Sequence, residues 1–178
     1  MRACVTFDTR YGNTEKVARA LEAGLTESGI QTNCVGIKDL SIGSLNQYDL
    51  ICVGGPTQYR TASKSMQEFL DAVADVKLSG KLAFAFDTRR ESFLAGSAAK
   101  YIERKLRHQG LRIISQNASA IVISSRSERR RDEFRDKDEW KEWKHRNVGL
   151  REGEEKRFEQ IGVTIGKALA SPDDTNPP

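Results

Sequence analysis

Short apolar runs alternate with longer segments of helical period along most of the chain, and this alternation constrains the fold more than any other feature of the sequence. The apolar runs predict five strands, at residues 3–7, 31–37, 50–54, 81–86 and 118–124. Segments of helical period predict helices at residues 14–28, 63–74, 96–109 and 152–170, with a short turn at 41–47 and an extended piece at 111–115. Strands and helices in this alternation are typical of βαβ units, whose strands run parallel in one sheet.

Length, charge and cysteine usage narrow the class of protein. The chain has 178 residues and a formal net charge of +4, a size at which one domain buries its core without a metal or a disulfide. No run approaches the roughly 20 apolar residues of a membrane span, and the chain begins with a strand instead of a signal sequence. Cys4, Cys34 and Cys52 lie singly in apolar segments, a pattern that disfavours both a disulfide framework and a zinc site. We therefore expect a cytoplasmic protein with no membrane span and no metal site.

One segment departs from the alternation. Residues 125–148 form a connection that is too long for an ordinary loop and too charged for a core, since residues 126–146 hold nine Lys or Arg against seven Asp or Glu. We expect a charged insertion within a single domain of residues 1–170. Its aromatic anchors would be Phe134, Trp140 and Trp143. Residues 171–178 are polar and proline-rich, which predicts a disordered tail.

The loop after the first strand carries a hydroxyl at each end, a glycine between them and an arginine beside the first hydroxyl. Its residues are Thr9, Arg10, Tyr11, Gly12, Asn13 and Thr14. Because the loop opens directly into a helix, its backbone amides, its hydroxyls and the positive end of the helix dipole would converge on one phosphate. The loop matches neither GxxxxGK[ST] nor GxGxxG, so the pattern indicates a single terminal phosphate and not a nucleoside triphosphate or a dinucleotide. The alternative that stays open is that Thr14 simply caps the helix.

Two further loops follow the third and fourth strands, and each combines polar residues with an aromatic one. The first contains Pro56, Thr57, Gln58, Tyr59 and Arg60, and the second contains Asp87, Thr88, Arg89 and Phe93. In a doubly wound sheet of order 2-1-3-4-5, the loops after strands 1, 3 and 4 are neighbours and enclose one crevice. Tyr59 and Phe93 would offer aromatic faces to a flat ligand there. The alternative is that both rings only pack at the rim of the core.

These motifs resemble those of the flavodoxin family. The loop from Thr9 to Thr14 is similar to the phosphate signature of the family, and the segment from Tyr48 to Thr57 is similar to its third strand and second flavin loop. The resemblance covers residues 1–124 and 149–170, where residues 150–154 are similar to the start of the closing helix in flavodoxin domains of the flavin-diiron and quinone-reductase type. It implies an α/β, three-layer, flavodoxin-like fold with a doubly wound, five-stranded parallel sheet of order 2-1-3-4-5.

The resemblance also implies a non-covalently bound FMN. Its phosphate would lie at residues 9–14, and its isoalloxazine ring would lie between the loops around residues 56–60 and 87–93. The redox chemistry would belong to the cofactor, while the protein would hold the ring and tune its electronics. The residues expected to bind FMN are Thr9, Arg10, Tyr11, Gly12, Asn13, Thr14, Pro56, Thr57, Gln58, Tyr59, Arg60, Asp87, Thr88, Arg89 and Phe93. No residue is assigned as a catalytic acid or base.

Three functions stay open at this point. The leading expectation is a flavodoxin-like flavoprotein that transfers electrons to a redox partner protein or to a small-molecule acceptor. The second is an FMN-dependent NAD(P)H oxidoreductase with a quinone or another acceptor, in which Arg60, Arg89 and Arg90 would receive an anionic substrate or the nicotinamide nucleotide. The third is a flavin-free interaction module that uses the charged insertion, although the mixed charges of that segment argue against a nucleic acid as the partner.

The net positive charge bears on the choice of redox partner. Typical flavodoxins are acidic carriers that dock on basic partners, whereas this chain has a net charge of +4. We therefore expect its redox partner, if it has one, to differ from the basic partners of typical flavodoxins. Whether the chain forms a homo-oligomer stays open.

Overall fold

The structure alternates strands with helices, as the sequence predicts. The computed structural model describes residues 1–92, 94–124 and 135–170. Its strands are β1 (Arg2–Phe7), β2 (Gln31–Gly36), β3 (Leu50–Gln58), β4 (Thr61–Ala62), β5 (Leu82–Arg90), β6 (Arg112–Ile113), β7 (Ala118–Ser124) and β8 (Val148–Leu150). Its helices are α1 (Asn13–Glu27), α2 (Lys64–Val73), α3 (Ala98–His108), α4 (Lys137–Asn147) and α5 (Glu154–Ala170), and a 3₁₀ helix covers Ile42–Gln47. Across the described residues, no helix has both the length and the apolar character that crossing a bilayer requires.

The strands form one sheet with the order β2-β1-β3-β5-β7-β8. The five longest strands pair in parallel along this order, so the predicted doubly wound parallel sheet is confirmed. Three short strands extend it: β8 runs antiparallel to β7 at the edge, β4 pairs with β3, and β6 pairs with β5. Strands of two or three residues carry too little periodicity to be predicted from a sequence, which is why β4 and β8 were not expected.

Helices cover both faces of the sheet and enclose two hydrophobic cores. The core between the sheet and helices α2 and α3 contains Ile51, Met66, Leu70 and Ile102. The core between the sheet and helices α1 and α5 contains Leu21, Leu25, Phe84 and Phe158. A sheet buried on both faces in this way is the three-layer arrangement expected for continuous apolar strands.

Strands β3 and β5 run four residues beyond their predicted ends, to Gln58 and Arg90. Residues 54–56 of β3 lie opposite residues 86–88 of β5. A Cβ atom at Gly54 would overlap the ring of Phe86, so the glycine makes room for a core side chain and lets the two strands continue side by side. As a result, residues expected on loops lie at the ends of paired strands.

Helices α1 and α5 pack with their backbones in close approach. A Cβ atom at Gly24 would overlap the backbone of Glu159, and one at Gly162 would come too close to the backbone of Leu21. Larger residues at these positions would therefore force the two helices apart. The helical period of the sequence predicts both helices, but it does not reveal that glycines set the distance between them.

The charged insertion supplies helix α4 and strand β8 at one edge of the sheet. Within α4, Trp143 is 8% exposed, whereas Trp140 is half-buried. Residues 125–134, with the predicted anchor Phe134, and the tail 171–178 lie outside the described residues, so the expectations for them stay predictions.

Candidate functional site

A cavity of about 310 Å³ lies at the carboxyl ends of β1, β3 and β5. The loop after β1 contributes Thr9, Arg10, Tyr11, Asn13 and Thr14 to its lining, and β3 contributes Pro56, Thr57 and Gln58. The remaining lining residues are Thr88, Arg89, Arg90, Val122, Trp140 and Val148. The three segments singled out in the sequence therefore converge on one cavity, as the strand order requires.

The loop after β1 leads into helix α1 through a glycine. Gly12 is the N-cap residue of the helix and has the positive φ of 77° that glycine readily adopts. A glycine has no side chain with which to cap the helix, so it leaves the amides of the first turn available to another acceptor. Thr14 lies inside the helix, where its Oγ1 is 2.9 Å from Oγ1 of Thr88. The alternative that Thr14 is the N-cap residue is therefore wrong.

The loop after β1 contains a buried hydroxyl, that of Thr9. Its Oγ1 has no hydrogen-bond partner among the described residues. A buried polar atom without a partner is costly, and most such atoms in proteins have one. Arg10 next to it is exposed, with its guanidinium 5.3 Å from the centre of the Tyr11 ring. A hydroxyl, the amides of an uncapped helix start and a guanidinium on one loop are suited to a phosphate group.

Asp87 lies behind the cavity and not in its lining. The side chain is fully buried, and its Oδ2 accepts hydrogen bonds from Thr57 Oγ1 at 3.0 Å, Ser97 Oγ at 2.8 Å and the Ala99 amide at 2.9 Å. The Thr57 hydroxyl oxygen in turn accepts a hydrogen bond from the Ala98 amide at 2.8 Å. Asp87 thus joins the ends of β3 and β5 to the start of α3, and its neighbour Thr88 faces the cavity because successive strand residues point in opposite directions.

Tyr59 and Arg60 form the two-residue turn between β3 and β4, at the rim of the site. Both have positive φ values, 46° and 70°, the backbone geometry of a type I′ hairpin turn, which usually holds Asn and Gly. Tyr59 is 99% exposed, and neither residue lines the cavity. The Arg60 backbone forms a β-bridge with Gly96, whose carbonyl also accepts a hydrogen bond from Arg89 Nη1 at 3.1 Å. The turn is therefore fastened to the loop after β5.

The charged side chains among the described lining residues of the cavity are all positive. Arg10, Arg89 and Arg90 line it, and none of the described lining residues carries a carboxylate. The Nε atom of Arg89 is buried and has no hydrogen-bond partner within the described residues. A cavity with this charge is suited to an anionic ligand.

The structure adds four lining residues to the predicted FMN contacts, and it leaves one predicted contact undescribed. The added residues are Val122, Trp140 and Val148, together with Arg90, which the sequence proposes only as a site for an anionic substrate or the nicotinamide nucleotide. Val148 is tied to the first loop, because Asn13 Nδ2 donates a hydrogen bond of 3.0 Å to its carbonyl. A contact between residues 135 positions apart leaves no local signal in the sequence. Phe93 lies outside the described residues.

A comparison with known protein families identifies the family of the chain. The flavodoxin family model matches residues 5–142 of the chain. The chain belongs to the flavodoxin family. Flavodoxins bind FMN and transfer electrons to redox partners, so the resemblance seen in the sequence is confirmed at the level of family, fold and cofactor.

Individual relatives of this flavodoxin-family protein are distant. A flavodoxin of Clostridium saccharobutylicum is 30% identical over 89 residues, which cover 49% of this chain and 56% of that protein. A protoporphyrinogen IX dehydrogenase [quinone] of Escherichia coli is 29% identical over 70 residues, 39% of each chain. The chain thus matches about half or less of the length of these curated relatives. Flavodoxin 1 of Bacillus cereus has the same fold, with a TM-score of 0.73 at 18% identity over 96% of this chain and 100% of that one.

Proposed function

We propose that this protein binds FMN in the cavity at the ends of β1, β3 and β5 and passes electrons through it to a redox partner. The observation that carries the proposal is the convergence of three loops around one cavity, which is lined in part by Thr9, whose buried hydroxyl has no hydrogen-bond partner among the described residues. FMN supplies the redox chemistry when it is bound. The residues of the chain bind the cofactor, orient it and limit its contact with water.

The phosphate would be held by the loop from Thr9 to Thr14. The amides of the first turn of α1 and the Thr9 hydroxyl would donate hydrogen bonds to the phosphate oxygens, and Arg10 would add a positive charge. Gly12 would contribute through its backbone, whose positive φ shapes the turn. Thr14 would act by fixing this loop to Thr88 of β5.

The ring would lie between the ends of β3 and β5. Pro56, Thr57 and Gln58 border the cavity on one side, and Thr88 and Arg89 border it on the other. Asp87 would hold these two borders at a fixed separation through its bond to Thr57. Contacts of FMN with Tyr59, Arg60 and Phe93 stay predictions.

A direct test is reconstitution. The purified protein, titrated with FMN, is expected to shift and sharpen the visible flavin bands and to retain FMN through gel filtration in a 1:1 ratio. An unchanged flavin spectrum at saturating FMN would contradict the proposal.

A second candidate function is an FMN-dependent NAD(P)H oxidoreductase that reduces a quinone or another acceptor. The observation that favours it is that Arg89 and Arg90 line the cavity, since guanidinium groups bind phosphates and other anions. Steady-state oxidation of NADPH by the FMN-loaded protein in the presence of a quinone tests this function. Turnover that falls in the Arg90→Gln variant would support the enzyme, whereas no turnover above free FMN would support a carrier.

The cysteines support a cytoplasmic location, which we propose for the protein. Cys4, Cys34 and Cys52 are free thiols in the structure. Burial raises the pKa of the Cys4 and Cys34 thiols to about 12, so both stay protonated at neutral pH. Unpaired, protonated thiols fit a reducing compartment.

A further inference from the structure

We propose that the segment of residues 137–150 forms one wall of the FMN site, with Trp140 in contact with the isoalloxazine ring. This inference rests on the proposed function and adds a binding element from outside the three loops. The wall consists of helix α4 and strand β8, which lie at the carboxyl-terminal end of the charged insertion.

The cavity lining combines cationic and apolar side chains. Arg10, Arg89 and Arg90 are cationic, whereas Val122, Trp140 and Val148 are apolar. Val122 comes from β7, and the other two apolar residues come from the segment 137–150. A ligand with an anionic group and a flat aromatic ring would suit such a lining, because apolar walls bury ring surface while a few polar groups fix its orientation.

Trp140 is well placed to supply an aromatic face. Among the described lining residues, only Tyr11 and Trp140 carry aromatic rings, and Tyr11 belongs to the loop assigned to the phosphate. Tyr59 is almost wholly in solvent and lies outside the lining. Aromatic rings stack favourably on one another in addition to burying area, so Trp140 is the described residue best suited to stack on the flavin ring.

The wall is attached to the rest of the domain by one buried side chain, one strand pairing and one hydrogen bond. Trp143, one turn along the same helix face, is buried. Within the helix, Asn147 Nδ2 donates a hydrogen bond of 2.7 Å to the Trp143 carbonyl. Strand β8 pairs antiparallel with β7, and Asn13 at the start of α1 binds the carbonyl of Val148.

The bond between Asn13 and Val148 connects the wall to the proposed phosphate loop. Asn13 is buried and is the first residue of α1, so a phosphate held at this helix terminus would also fix the position of β8. Occupation of one cavity by FMN is therefore expected to stabilise both the phosphate loop and the segment 137–150.

The experiment compares FMN binding by the full-length protein with binding by its Trp140→Leu and Trp140→Phe variants. Flavin emission reports contact with an indole, because stacking on tryptophan quenches it. For Trp140→Leu we expect affinity to fall about tenfold, the size of one aromatic stacking contact, and the emission of bound FMN to rise. Trp140→Phe should recover part of the affinity, and the matched control Tyr101→Leu, a partly buried aromatic residue on α3 away from the lining, should bind like the unmodified protein.

A measurement on the unmodified protein covers the case in which Trp140→Leu does not fold. Backbone amide exchange in β8 should slow at least about tenfold when FMN is added, while exchange in β2 at the opposite edge of the sheet should not change. Equal affinity and equal flavin emission in Trp140→Leu and the unmodified protein, or unchanged exchange in β8 with FMN bound, would overturn the inference and leave the proposed function standing. Failure of the unmodified protein to bind FMN would overturn both.

Discussion

Thr57 Oγ1 donates a hydrogen bond of 3.0 Å to Oδ2 of Asp87, and this bond joins the ends of β3 and β5 behind the cavity. Oδ2 of Asp87 also accepts hydrogen bonds from the Ser97 hydroxyl and the Ala99 amide. One buried carboxylate therefore fixes two strand ends and the start of a helix. The cavity keeps its shape because its borders are attached to one another from behind.

The Asp87→Ala substitution should destabilise the protein. It leaves two hydroxyls and a backbone amide without their acceptor, and hydrogen bonds to charged groups contribute about 1.5–3 kcal/mol each. We expect the free energy of unfolding to fall by on the order of 3 kcal/mol, measured by urea denaturation. Asp75→Ala, at an exposed carboxylate, is the control and should change stability by less than about 0.5 kcal/mol. Equal stability of the two variants would contradict the role of Asp87.

Gly96→Ala should loosen the link between the β3–β4 turn and the loop after β5. Gly96 has a φ of 70°, and a Cβ atom there would overlap the backbone of Arg60. Gly80→Ala is a matched control, since Gly80 has a φ of 83° but open space around the missing Cβ. Both variants should lose about 1 kcal/mol from the left-handed backbone, and Gly96→Ala should lose a further 1–3 kcal/mol or so from steric overlap. Calorimetric melting measures both variants. Equal losses of stability in the two would contradict a role for the contact with Arg60.

The backbone of the turn at Tyr59 and Arg60 is strained, and other residues at these two positions would relieve the strain. Each residue adopts a positive φ, which costs a residue with a side chain about 1–2 kcal/mol. The double substitution Tyr59→Asn with Arg60→Gly introduces the preferred pair for a type I′ turn and should raise the melting temperature. A lower melting temperature would mean that the two side chains stabilise the turn through contacts other than its backbone geometry.

Gly24→Ala should separate helices α1 and α5. The added methyl group would overlap the backbone of Glu159, and overpacking of this kind typically costs about 1–3 kcal/mol. Gly43→Ala, in the 3₁₀ helix where the space is open, serves as the control. Chemical denaturation should show a lower midpoint for Gly24→Ala alone, and equal midpoints would contradict the close packing of the two helices.

The apolar periodicity of the sequence predicts a parallel sheet, and the resemblance to the flavodoxin family implies the strand order, from which the convergence of the three loops follows. The sequence misplaces Asp87 as a loop residue because the apolar run ends at Phe86, while the strand continues to Arg90. The alternation of side chains along that strand then puts Asp87 behind the cavity and Thr88 in its lining.

For two other parts of the site, the sequence contains no local pattern that would predict the structure. The turn at Tyr59 and Arg60 lacks the Asn and Gly that mark a hairpin, so its geometry depends on tertiary contacts such as the bridge to Gly96. The wall from α4 and β8 depends on pairing with β7 and on the bond from Asn13, which connects opposite ends of the chain. Neither relationship is a property of neighbouring residues.

The affinities of Thr9→Val for FMN and for riboflavin, which lacks the phosphate, test most directly whether the loop after β1 holds a phosphate. Thr6→Val is the control, because Thr6 also has a buried hydroxyl without a partner among the described residues but does not line the cavity. We predict that Thr9→Val weakens FMN binding between about 10- and 100-fold, the effect of one hydrogen bond to a charged group, and leaves riboflavin binding unchanged. Thr6→Val should bind both flavins like the unmodified protein. Equal losses for FMN and riboflavin in Thr9→Val, or no loss for FMN, would contradict a phosphate site at this loop.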